Sequence, residues 1–79
     1  MVCEYIKVLD FAKEGEWDKA HQLVQPYSDE VSCLIHAYLH RVEGDLSNAQ
    51  YWYTRAESNM PDNSLKEELD RLYLLVKDE

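Results

Sequence analysis

Helix breakers are scarce in this chain: its 79 residues include two glycines and two prolines, which leaves room for uninterrupted helices. Cysteine is equally rare. Cys3 and Cys33, 30 residues apart, make neither a disulfide framework nor a zinc-finger spacing, and read as small buried or half-buried thiols in a reducing cytoplasm. Positive charge is thin, with 8 Lys and Arg against 16 Asp and Glu for a net charge of −8. That field repels phosphate backbones and no Lys/Arg cluster offsets it, so nucleic acid is not an expected partner. No apolar run approaches the ~20 residues that cross a bilayer. No basic start leads into an apolar stretch as in a secretory signal. The expectation is a cytoplasmic protein with no membrane partner. Strand-period alternation is absent over any useful length, as are Asn-Gly and Asp-Gly hairpin turns.

What is present suits a folded helical globule. Hydrophobic residues make up 46% of the chain and charged residues 30%, and residues 1–79 are expected to form one domain with a marginal core. Apolar residues recur at helical spacing in five stretches, predicting helices at about 2–13, 17–25, 29–43, 46–58 and 64–77. Their stripes are Val2, Tyr5, Ile6, Leu9 and Ala12; then Trp17, Ala20 and Val24; then Val31, Leu34, Ile35, Tyr38 and Val42; then Leu46, Ala49, Tyr53 and Ala56; and last Leu65, Leu69, Leu72 and Val76. Gly15 and Gly44 follow two of these runs, where a helix-ending left-handed residue belongs. Ser28 is the expected N-cap of the third helix, and Ser64 with Glu67 reads as a capping box opening the fifth. The fold class is all-α.

The chain also repeats itself. Residues 5–24 align without gaps on residues 34–53 at an offset of 29, bringing Ile6 onto Ile35, Glu14-Gly15 onto Glu43-Gly44 and Ala20 onto Ala49. Each unit is a helix, a glycine turn and a second helix, and one such hairpin has no way to bury its apolar face alone. The second unit resembles a tetratricopeptide repeat: Ala37 within the first helix, EGDLSNA across the turn, Ala49, Tyr53 and Ala56 on the second helix, and Pro61 closing it. The block HAYLHRVEGDLSNAQYWYTRA also resembles a group of small uncharacterised proteins, from which no activity carries over. The tetratricopeptide resemblance implies two stacked antiparallel helix pairs, about 1–29 and 30–61. A C-terminal capping helix at about 64–77 would cover helix four with its apolar side. Two units and a cap fall short of the roughly three repeats such arrays need, which leaves room for a homodimer or for unusually good aromatic packing.

The same resemblance implies a protein- or peptide-binding module whose concave groove is lined by first helices. By the alignment that groove holds Tyr5, Leu9, Leu34, Tyr38 and Arg41, the arginine being suited to a partner carboxylate. Leu34 and Tyr38 are equally open to being covered by the fifth helix. The alternative function is metal binding or sensing. His36 and His40 lie four apart on one helical face, a spacing that lets two imidazoles share a metal, and His21 sits on the helix expected to pack against theirs. Hydrogen-bonded packing of these histidines is the competing reading. Of Tyr51, Trp52 and Tyr53, which point ~100° apart, Tyr53 is expected inward and at least one neighbour near the surface. No nucleophile has a recognisable base beside it and no glycine-rich phosphate loop exists, so the expectation is binding without catalysis and without a cofactor.

Overall fold

A computed structural model describes residues 3–77 of the chain. Its helices are α1 (Tyr5–Lys13), α2 (Trp17–Val24), α3 (Glu30–Val42), α4 (Leu46–Arg55) and α5 (Leu65–Lys77), with no strand among the described residues. The fold is all-α. Val2 and the expected start of the first helix lie outside the described residues, and Cys3 and Glu4 precede the helix.

The two glycine turns repeat each other bond for bond. In the first, Glu14 N donates to Asp10 O, Gly15 N to Ala12 O and Glu16 N to Phe11 O; in the second, Glu43 N donates to Leu39 O, Gly44 N to Arg41 O and Asp45 N to His40 O. Every member of the second set lies 29 positions after its counterpart. Gly15 and Gly44 have φ of 80° and 87°, and a Cβ at either would meet nothing within 4 Å. Glycine is there for its left-handed backbone, not for space. The same loop closes α4 without glycine: Ser58 N donates to Tyr53 O and Glu57 N to Thr54 O, with Glu57 at a φ of 58°. That turn ends α4 three residues before the expected boundary.

Capping differs from expectation at one helix and matches at another. Asp29, not Ser28, caps α3: its carboxylate accepts from Ser32 N at 3.1 Å and from Ser32 Oγ at 2.7 Å. Tyr5 OH donates to the same carboxylate at 2.6 Å, so one aspartate ties the start of α1 to the start of α3. At α5 the box forms, with Ser64 N donating to Glu67 Oε1 at 2.8 Å and Glu67 N to Ser64 Oγ at 3.0 Å.

α3 is the axis of the molecule. Every residue from Ser32 through His40 is buried, because α1, α2, α4 and α5 all pack against this helix. A helix enclosed by four others has no solvent face, and its sequence accordingly lacks charge between Glu30 and Arg41. Ala20, Ala37, Ala49 and Ala56 are all buried, where a small side chain lets helices approach closely. α1 also packs on α2. The fifth helix departs from its expected place: it lies on α1 and α3 rather than on α4. Four residues of the expected stripes, Ile6, Val42, Leu46 and Leu65, are 40% or more exposed. Each lies within the first two or last residues of its helix, where neighbouring helices no longer cover the surface.

Candidate functional site

Of the five expected groove residues, Leu9, Leu34 and Tyr38 are buried, while Tyr5 and Arg41 are partly exposed. Leu9 is fully buried, Leu34 and Tyr38 nearly so, and α5 packs on both α1 and α3. The Arg41 guanidinium donates to Asn63 Oδ1 at 2.9 Å, to Asn63 O at 2.6 Å and to Tyr53 OH at 3.4 Å. Those bonds dock the loop before α5. Tyr5 is partly buried and bonded to Asp29.

Beneath that loop lies a polar centre that the periodicity of α5 concealed. Glu68, which lies off the apolar stripe of Leu65, Leu69, Leu72 and Val76, is fully buried. Tyr53 OH donates to its Oε2 at 2.8 Å and Asn63 Nδ2 to its Oε1 at 3.0 Å. Arg71 adds a two-pronged grip, Nε to Oε1 at 2.8 Å and Nη2 to Oε2 at 2.9 Å. Burial alone would raise the Glu68 pKa, but the donors from Arg71, Asn63 and Tyr53 prevail and hold it below the ordinary value. The converse holds at Tyr53, where burial and the adjacent carboxylate push the phenol well above its usual range.

An open cleft of about 420 Å³ remains on the surface, lined by Glu4, Tyr5, Ile6, Lys7 and Asp10 at the start of α1 and by Val76 at the end of α5. Its walls are fixed from behind: Tyr5 OH is bonded to Asp29, and Tyr73 OH donates to Asp10 Oδ1 at 2.6 Å. Ile6, one of its lining residues, stands 45% exposed, while Leu74 and Leu75, exposed at 65% and 41%, lie outside the lining.

The three histidines converge. His36 and His40 of α3 have ring centroids 5.0 Å apart, and His21 of α2 sits 4.8 Å from the first and 5.5 Å from the second. One ring nitrogen from each comes within 4.8 Å of the others. His36 and His40 are buried and His21 is half-buried. Tryptophans pave the outside: Trp17 stacks on His21 at 4.7 Å and donates Nε1–H to Leu39 O at 2.6 Å, while Trp52 stacks on His36 at 3.8 Å. Arg55 lies over the ring of Trp52 at 4.7 Å. Tyr51 is exposed and Tyr53 fully buried, so the three aromatics split as helix geometry requires.

The nitrogens of this cluster are unequally satisfied. His40 Nδ1 is 2.6 Å from Glu43 Oε2, one turn along the helix. His36 Nδ1 is buried with no hydrogen-bond partner, the sole such side-chain atom among the described residues, and an orphan of this kind costs about 1–3 kcal/mol. Burial, then the neighbouring His21, His40 and Arg55, lower the His36 pKa to about 4. Burial and His40 also lower that of His21, against the opposing pull of Glu43 and Asp18. The two thiols play no part in this cluster: Cys3 and Cys33 are free and buried, and desolvation raises both pKa values. Among the described residues no helix is long and apolar enough to cross a membrane. No family model matches the chain, and no curated protein or solved structure matches it significantly.

Proposed function

We propose that this chain is a small protein-interaction module that docks its partner at the cleft between the start of α1 and the end of α5. The observation that carries this reading is the exposed apolar side chain of Ile6 in a cleft whose walls are already held by hydrogen bonds. A cleft that needs no ordering on binding keeps more of its contact energy as affinity. Apolar surface with a charged rim is the composition expected of a docking core. Glu4 and Asp10 on that rim, within a chain of net charge −8, favour an apolar side chain presented on a basic segment. The resemblance of residues 30–61 to a tetratricopeptide repeat favours a binding role over a catalytic one, and the burial of Leu9, Leu34 and Tyr38 favours this outer cleft as the site. A reducing cytoplasm fits the two free thiols as its setting.

Affinity capture with the wild-type chain, Ile6→Glu and Leu46→Glu tests the placement, Leu46 being exposed but outside the cleft. Circular dichroism confirms that each variant is folded. A specific partner should be retained by Leu46→Glu and weakened roughly tenfold or more by Ile6→Glu, the scale of a single interface anchor. Equal retention by both variants rejects the cleft.

A further inference from the structure

We infer that His21, His36 and His40 form a binding site for one divalent transition-metal ion, zinc being the best fit, independent of the proposed docking cleft. Three observations converge on it. The donor set is right: three imidazoles from two packed helices, each bringing a nitrogen within 4.8 Å of the other two. Imidazole is the common ligand of zinc, copper and nickel, and three histidines with water in the fourth position is an established zinc geometry. Zinc–nitrogen bonds of roughly 2.0–2.1 Å place tetrahedral ligands about 3.4 Å apart. His21, the half-buried member on α2, closes on the α3 pair by side-chain rotation, while His36 and His40, four apart on one helix face, close on each other by rotamer adjustment.

The second observation is the orphan. His36 Nδ1 is buried and unpartnered, in an interior whose other buried side-chain polar atoms are satisfied among the described residues. A metal bond answers a nitrogen that the protein itself leaves unanswered. The third is the partner of His40. With Nδ1 held by Glu43 Oε2 at 2.6 Å, its Nε2 is the atom left for a metal. A carboxylate behind a ligating histidine fixes its tautomer and raises its basicity. Glu43 and Asp45 also bring carboxylate oxygens within 4.8 Å of a His40 ring nitrogen and of each other, which favours a cation nearby. The paving by Trp17 and Trp52 excludes water from two sides and provides an optical reporter.

Cobalt(II) titration of the whole chain at neutral pH, followed by visible absorption and by tryptophan fluorescence, tests the site. Zinc competition then gives the affinity. The expected result is one ion per chain, a tetrahedral cobalt spectrum, quenching of tryptophan, and displacement of cobalt by zinc. Glu43→Gln should weaken zinc by about 10-fold and His21→Gln by about 100-fold or more. His21→Gln is the decisive variant, since its half-buried position lets the fold survive where a His36 variant need not. Octahedral weak binding only, or an affinity unchanged in His21→Gln, overturns the inference. Neither result touches the docking cleft, whose test uses Ile6.

Discussion

Glu57 holds the strained position of the fold, the sole non-glycine at positive φ among the described residues. It closes α4 with the hydrogen-bond pattern that glycine supplies at Gly15 and Gly44, and an L side chain in that conformation costs about 1–2 kcal/mol. Part of that strain is offset by the greater freedom glycine has when unfolded. Glu57→Gly should therefore raise stability by about 0.5–1 kcal/mol in urea unfolding, and a decrease would show that the carboxylate has a role of its own. Glu68 stands at the other extreme. Its carboxylate is matched by four donor bonds; Glu68→Ala leaves the Tyr53 and Asn63 donors without an acceptor, while the 40% exposed Arg71 turns to water, and should cost about 2–3 kcal/mol. Glu68→Gln keeps an acceptor oxygen for two of the four donors but turns its amide NH2 towards the other two, and should cost about 1–2 kcal/mol. A Glu68→Ala variant as stable as wild type would mean that the carboxylate is not enclosed.

At the scale of elements, local signals were legible and lateral ones were not. The glycine turns and the Ser64–Glu67 box depend on residues within five positions of each other, and each appears as hydrogen bonds, the two turns repeating at the offset of 29. Where α5 lies depends instead on Arg41 meeting Asn63, 22 residues on, and on Tyr73 meeting Asp10, 63 residues back. Nothing in the periodicity of Leu65, Leu69, Leu72 and Val76 chooses between α4 and the α1–α3 surface. The burial of Glu68 is hidden for the same reason: its helical phase is a flank position, and besides Arg71 of its own helix its partners arrive from α4 and the preceding loop. The histidine cluster sits between these cases, since the four-residue spacing of His36 and His40 is local while His21 joins them through α2 packing on α3. The close approach of α4 to α3 is itself testable. Ala49 is fully buried, and Ala49→Leu should overpack that contact and cost ~1–3 kcal/mol. An unchanged or higher melting temperature would reject the tight α3–α4 pair.

At the scale of the whole molecule, acid acts on this fold in two opposed ways. Lowering pH from neutrality titrates a chain of net charge −8 towards zero, relieving self-repulsion and favouring the compact state. His36 works against this. Its folded pKa of about 4 lies below the ordinary 6.5 because it is buried beside His21 of α2, His40 of its own helix and Arg55 of α4. The unfolded chain then binds the proton first, so stability from this group is complete above about pH 6.5 and is lost as pH falls towards 4. A shift of that size corresponds to roughly 3 kcal/mol at most. The carboxylates Asp29 and Glu68, both held below their ordinary values, contribute stability that is present above about pH 4–4.5 and lost below it, in a separate and lower window. The difference between wild type and His36→Gln isolates the imidazole, because both carry the same general charge relief and the same carboxylates. Urea unfolding in the presence of a chelator should show wild type losing stability relative to His36→Gln between pH 6.5 and 4, with the two curves parallel below that. Curves parallel throughout would mean that His36 is already solvated, and that the orphaned nitrogen on which the metal site rests is not buried.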